Sequence, residues 1–253
     1  MRIARTGLSP VKGGRHTDRP SVQLALDGPV GDRVFCLVDR ACGRVLRTVE
    51  NPTLPQTAAR WRDGVLSVTL PSIPGGAVSG EPVPTGETVK VDYWGRVAAL
   101  EVVEGPWAQA YSEHVGYDVV LARATRPGEV VYGASVTLVT SSSLDLLAER
   151  TGGPVDGARF RATLTVDTTG HPPHVEDDWV GRRLRLGDAE VEVRGGVPRC
   201  AVVDLDPVSG SRRSPVLRSL GRYRRHAGEV VFGVDAVVTS SGGVDVGAPC
   251  ERG

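Results

Sequence analysis

No apolar run in this chain goes far before a glycine or a proline interrupts it. Glycine and proline supply 50 of its 253 residues, and the segments between them are short and rich in valine, leucine and threonine. β-Branched side chains suit an extended, pleated backbone and lose rotamer freedom in a helix. Turn residues at this density leave room for many short strands and few helices. The expected fold class is mostly β, built from β-barrel units with a few short helices. The length is enough to bury a real core, as one large domain or two smaller ones.

Residues 64–70 alternate with period two, the mark of a half-buried strand, whereas residues 34–39 form an unbroken apolar run. Residues 88–94 and 97–103 read as strands meeting near Gly95, and residues 119–122, 135–140, 162–167, 230–238 and 243–247 as further strands. Gly187-Asp188 turns a hairpin over residues 183–193. Pro106 opens a short helix, Ser142 caps a second that Gly152-Gly153-Pro154 ends, and residues 216–225 read as a basic helix. A domain boundary is expected between residues 95 and 130.

Thirty basic and 30 acidic side chains cancel, so no general basic field points to nucleic acid or an anionic membrane as partner. No stretch of 18 apolar residues occurs, and residues 1–10 lack the apolar core of a signal peptide. The expectation is a soluble, cytoplasmic protein. Its four cysteines, Cys36, Cys42, Cys200 and Cys250, include no Cys-x-x-Cys pair, so neither a zinc ribbon nor a dithiol redox motif is offered.

The most chemically pointed stretch is Val197-Pro198-Arg199-Cys200, followed by residues 201–205 and the turn Asp206-Pro207-x-x-Gly210. The apolar residues after Cys200 read as a strand. A thiol at a strand mouth, beside a cation that favours the thiolate, suits a nucleophile or a soft-metal ligand. It equally suits a buried cysteine acting as a small hydrophobe. Lys12 and Arg33 could face one anion or be two solvated cations. In Arg159-Phe160-Arg161 an extended backbone would put both guanidinium groups on one face, as a phosphate grip or a surface pair. Residues 171–179 hold two histidines and three carboxylates, but prolines splay the histidines apart, favouring a solvated loop over a metal site.

Taken in order, these pieces resemble the MOSC family, named for the C-terminal domain of molybdenum cofactor sulfurase. The resemblance rests on Pro10-Val11-Lys12, Gly31-Asp32-Arg33 with Val38-Asp39, Ser143-Leu144, Arg159-Phe160-Arg161 and Glu176-Asp177-x-Trp179. It continues through Leu186-Gly187-Asp188, Arg199-Cys200, Asp206-Pro207-x-x-Gly210, Leu220-x-x-Tyr223-Arg224, Phe232-Gly233 and Val246-Gly247. It implies an N-terminal β-barrel-like domain over residues 1–100 and a MOSC domain over 101–253. Within the family the chain is similar to amidoxime-reducing molybdenum proteins. That similarity implies the molybdenum cofactor (molybdopterin), with Cys200 as metal ligand and catalytic thiolate. Lys12, Arg33 and Arg161 would hold the pterin phosphate or its surroundings, with Arg199 the fourth cofactor-binding cation. Gly13, Ala162-Thr163 and Tyr132-Gly133-Ala134 depart from the amidoxime-reducing pattern.

The implied activity is reduction of a small N-hydroxylated (N–O) substrate, with electrons from a separate flavin or iron–sulfur donor. The alternatives are a metal-free sulfur-handling enzyme using Cys200 as a persulfide carrier or in C–S chemistry, and a cofactor carrier without turnover.

Overall fold

The computed structural model describes residues 1–93, 95–126, 128–131, 133–212 and 214–253. Trp94, expected in a strand, and Tyr132, expected in the loop before residue 135, lie outside the described residues. The fold is mostly β, and the α-helices among the described residues are short: α1 (Trp107–Val115), α2 (Ser141–Thr151) and α3 (Val216–Leu220).

The largest sheet has nine strands. Thr17–Arg19 neighbours Arg2–Leu8, and then follow Leu164–Asp167, Val136–Thr140, Glu229–Ser240, Ala189–Pro198, Arg183–Leu186 and Cys250–Arg252. Among the described residues its one parallel pair, Val136–Thr140 with Leu164–Asp167, is bridged by a crossover that contains α2, as parallel pairing requires. Ile3, Leu138, Leu164, Trp179, Val191 and Val234 close the interior of this sheet.

A second sheet runs Val83–Tyr93, Arg96–Glu104, Val119–Ala124, Phe35–Asp39, Arg44–Val45. Both of its faces are covered. Phe35, Leu37 and Leu121 pack with Trp107 and Tyr111 of α1 on one side, and Cys36, Val38 and Ala122 lie on the other. Two-sided burial explains why residues 34–39 read as a continuous apolar run rather than an alternation. Two strands lie across the line drawn from sequence at residue 100: Arg2–Leu8 pairs with Leu164–Asp167, and Val119–Ala124 pairs with Phe35–Asp39.

Four local expectations are corrected. Ser142 is not the cap of α2, which starts at Ser141 with Thr140 as its N-cap. Residues 201–204 form a 3-10 turn with Cys200 as its N-cap, not a strand. Val203 turns into a cluster with Phe160 and Phe232, and the Asp204 carboxylate accepts the Leu217 amide at 2.8 Å. Arg159-Phe160-Arg161 is likewise not extended. Gly157–Phe160 is a 3-10 turn capped by Asp156, and Arg161 follows in the left-handed region at φ 51°, so the two arginines point to different partners. The basic helix is shorter than residues 216–225: α3 stops at Leu220, and Arg225–His226 pairs with the start of Glu229–Ser240.

Candidate functional site

A cleft of about 600 Å³ is lined by Lys12, Arg33 and Tyr93 from the N-terminal half and by Arg161, Arg199 and Cys200 from the C-terminal half. Each of these cations is placed by backbone that its neighbours hold. The Lys12 amide donates to the Phe35 carbonyl at 2.8 Å beside buried Val11. Its ammonium donates to the Leu46 carbonyl at 3.3 Å and lies 5.4 Å from the centre of the Tyr93 ring. Burial, with Arg161, Arg33 and Arg47 adding to it against an opposing effect of Cys36, pushes the Lys12 pKa down to about 8.

Arg33 and Arg161 are two of the few non-glycine residues with positive φ, at 48° and 51°. Such backbone costs on the order of 1–2 kcal/mol, and here it aims two guanidinium groups at one place. Arg33 pairs with the Asp32 carboxylate, which also accepts the Ser9 amide at 2.8 Å, and donates to the Arg161 carbonyl at 3.4 Å. Arg161 donates through Nη1 to the Gly14 carbonyl at 2.6 Å, while its Nη2 is buried with no hydrogen-bond partner. Burial and the nearby Arg33 push its pKa down to about 10.

Arg199 is fixed by its own fork. Nε donates to the Phe232 carbonyl at 2.8 Å and Nη1 to the Phe160 carbonyl at 2.9 Å. Its guanidinium lies 5.2 Å from the centre of the Phe160 ring, itself stacked on Phe232 at 4.3 Å. Nη2 is again buried and unpartnered, and burial pushes the Arg199 pKa down to about 10. Cys200 is exposed, as is Cys42 on the cleft's rim. Cys36 and Cys250 are buried, with pKa values raised by burial to about 12 and about 11. That burial leaves Cys36 and Cys250 as inert packing residues.

Arg159 serves structure: Nη1 donates to the Leu205 carbonyl at 2.8 Å and the Val203 carbonyl at 3.4 Å, holding the turn after Cys200. Sequence reasoning missed Tyr93 and Arg47, which line the same cleft. Tyr93 was legible, since it shares the inward face of its strand with Val91; nothing marked Arg47. It also missed His16, which is 4% exposed. Arginine can only donate, so the 3.0 Å contact from Arg5 makes His16 Nδ1 the acceptor and the ring neutral. Burial and then Arg161 push its pKa well below the ordinary histidine value.

Residues 171–179 are not simply a solvated loop. Val175–Trp179 is a 3-10 turn that buries the Glu176 side chain, and its carboxylate accepts from the Ser143 hydroxyl at 2.8 Å and the Thr140 hydroxyl at 2.7 Å. Among the described residues no group of three or more His, Cys, Asp and Glu side chains is placed to hold a metal ion. A metal in the cleft would therefore have to bring most of its own ligands.

Fold and cleft together define a mostly β protein with a cationic pocket and accessible thiols at Cys42 and Cys200. The MOSC domain model matches residues 111–251, more than half of the chain, and the chain belongs to the MOSC domain family. Molybdenum cofactor sulfurase of Oryza sativa subsp. japonica is 37% identical over 83 residues, 32% of this chain and 10% of that protein. The Anopheles gambiae protein of the same name is 31% identical over 112 residues, 40% of this chain and 14% of that protein. The chain thus spans less than a fifth of the length of these relatives. Among solved structures, the YuaD protein from Bacillus subtilis superposes with a TM-score of 0.46 at 10% identity, covering 97% of this chain and 91% of that one. At that level of superposition it does not bear on the chemistry.

Proposed function

We propose that the cleft binds the molybdenum cofactor and that the chain is an oxidoreductase acting on small N–O compounds. The observation that carries this is that Arg161 and Arg199, each with a buried, unpartnered Nη2, line one cleft with Lys12, Arg33 and an exposed thiol. A buried charged donor left unsatisfied costs more than 1–3 kcal/mol, a cost that an anionic acceptor offsets. Guanidinium forks and an ammonium fit a phosphate, and a thiolate fits a soft metal that arrives with its own pterin ligands. The residues present fit the group.

In this reading Lys12, Arg33 and Arg161 hold the phosphate, Arg199 holds the loop carrying Cys200, and the Cys200 thiolate is the protein's ligand to molybdenum. When bound, the cofactor supplies a two-electron centre, so that R–NHOH takes up two electrons and two protons to give R–NH2 and water. The electrons come from a separate flavin or iron–sulfur donor.

A second reading has one observation in its favour: Cys200 stands exposed at the cleft, where a sulfur donor could reach it, and the matched relatives are named sulfurases. Metal analysis separates the two. Protein produced with molybdate should carry about one molybdenum per chain, and Cys200→Ala should lose most of it while keeping its circular dichroism. Metal-free wild type that takes up sulfane sulfur at Cys200 would replace the first reading with the second.

A further inference from the structure

We propose that the arginine-rich face formed by α3 and the hairpin after it docks an acidic electron-carrier protein; the carrier's role rests on the redox reading above. Between residues 207 and 228 the chain has six arginines, at 212, 213, 218, 222, 224 and 225, and no aspartate or glutamate. In a chain whose charges cancel overall, that is a local excess with a cause to find.

Part of it is used internally: Arg225 donates to the Gly221 and Gly228 carbonyls. Arg224 is spent on Asp177, in a two-pronged ion pair at 2.7 and 2.9 Å, and Arg212 donates to the Val49 carbonyl. Arg218, Arg222 and Arg225 are exposed, and among the described residues none has a carboxylate partner. Arg218 and Arg222 are four apart on backbone still turning through Arg224, which sets them on one side. Exposed Arg150 extends the face, its guanidinium 4.1 Å from the centre of the Tyr223 ring.

The face adjoins the cleft. His226 pairs with Glu229 across the hairpin, Glu229 lines the cleft, and the next residue's carbonyl accepts the Arg199 amide at 2.7 Å. A carrier seated on the arginines would stand beside Cys200. The apolar side chains of α3 point inward: Val216 and Leu220 are buried in a core cluster and Leu217 packs on it. No apolar face is therefore offered to a bilayer. A chain of zero net charge with one confined cationic patch suits a protein partner better than a nucleic-acid backbone, and opposite charge steers such encounters.

The test is direct binding of a reduced, acidic plant-type [2Fe–2S] ferredoxin to the purified full chain at low and high salt. Methyl viologen, which needs no docking face, drives turnover in parallel. Wild type should bind at low salt and lose affinity steeply as salt is raised. Arg218→Glu/Arg222→Glu should weaken binding about tenfold or more and leave viologen-driven turnover unchanged. Arg60→Glu/Arg62→Glu, exposed on strand Ala58–Arg62, should do neither. Equal binding by wild type and the α3 variant, or no binding at low salt, overturns the docking face whatever the turnover. A DNA duplex or a phosphatidylserine vesicle bound more tightly than ferredoxin through the same arginines also overturns it. Salt-dependent, arginine-dependent binding without viologen turnover leaves the face standing and removes the redox reading.

Discussion

At the scale of single residues the cleft is a set of cations held more firmly than surface charges usually are. Arg161 and Arg159 are one residue apart from Phe160 and do different work, which gives a paired test. Arg161→Lys keeps the charge but loses the fork, and should weaken cofactor retention about ten- to a hundredfold. Arg159→Lys gives up the grip on the Val203 and Leu205 carbonyls, so it should lower stability by about 1–2 kcal/mol, with a smaller effect on retention. Equal loss of cofactor in both, at equal stability, removes the phosphate role from Arg161. Lys12 gives the pH dependence. Its folded pKa, about 8 in the free protein, lies below the unfolded value, so the folded chain sheds this proton first. Stability contributed at Lys12 therefore rises from about pH 8 towards the unfolded pKa. Anion binding moves the other way: affinity for inorganic phosphate should fall as pH rises through about 8. Lys12→Arg should carry that fall to higher pH, and an unmoved profile in a phosphate titration would take Lys12 out of the site.

At the scale of elements the hidden feature is Glu176. Its carboxylate meets Thr140 and Ser143 where α2 begins, while the Ser143 oxygen accepts the His174 amide at 2.8 Å. A helix N-terminus favours an anion; α2 has no side-chain cap hydrogen bond from its own N-cap residue Thr140, and its Ser142 amide donates instead to Thr168 Oγ1 at 3.2 Å. Glu176→Ala removes the acceptor shared by the two buried hydroxyls, leaving only the 2.7 Å bond from Thr140 to Ser143, and should cost about 2–3 kcal/mol in urea unfolding. Burial raises the Glu176 pKa, so the folded state binds this proton more tightly than the unfolded chain and gains stability as pH falls through the folded pKa. Glu176→Gln cannot titrate. Its stability relative to wild type should be most favourable near neutrality and should decline towards acid pH, and a constant difference would show that Glu176 is not the titrating group. None of this was legible beforehand. In the sequence, residues 171–179 look polar and solvated, because the partners that bury Glu176 lie more than thirty positions upstream. The strands, by contrast, were legible wherever period two or Gly/Pro boundaries spoke. The run after Cys200 misled because Val202 and Val203 carry β propensity, yet the structure turns Val203 into the Phe160–Phe232 cluster, and packing overrides propensity.

At the scale of the whole molecule, the turn Asp206-Pro207-x-x-Gly210 joins the two halves. The Ser209 carbonyl accepts from Gln56 at 3.0 Å and the Val208 carbonyl from Arg15 at 3.3 Å. Gly210, at φ 70°, lies so close to Pro52 that a Cβ would overlap its carbonyl. The sequence marks Gly210 as a turn glycine, and only the tertiary contact shows why even a small side chain is excluded. Gly210→Ala should lower stability by about 2 kcal/mol, which for this length is about 4–8 °C in Tm. Because the displaced turn follows Cys200 directly, it should also loosen cofactor retention. An unchanged melting curve would mean that the turn moves freely without cost.

The pairing of Arg2–Leu8 with Leu164–Asp167, Arg2 opposite Asp167, sets a timetable for the chain as it leaves the ribosome. The first strand emerges long before its partner, and at ordinary elongation rates it waits roughly 10–30 s. During that interval the segment bearing Ile3 and Leu8 can pair with Thr17–Arg19 on one side, but its other edge stays open, which makes it a natural client for a ribosome-bound chaperone. The larger sheet can close only after that wait.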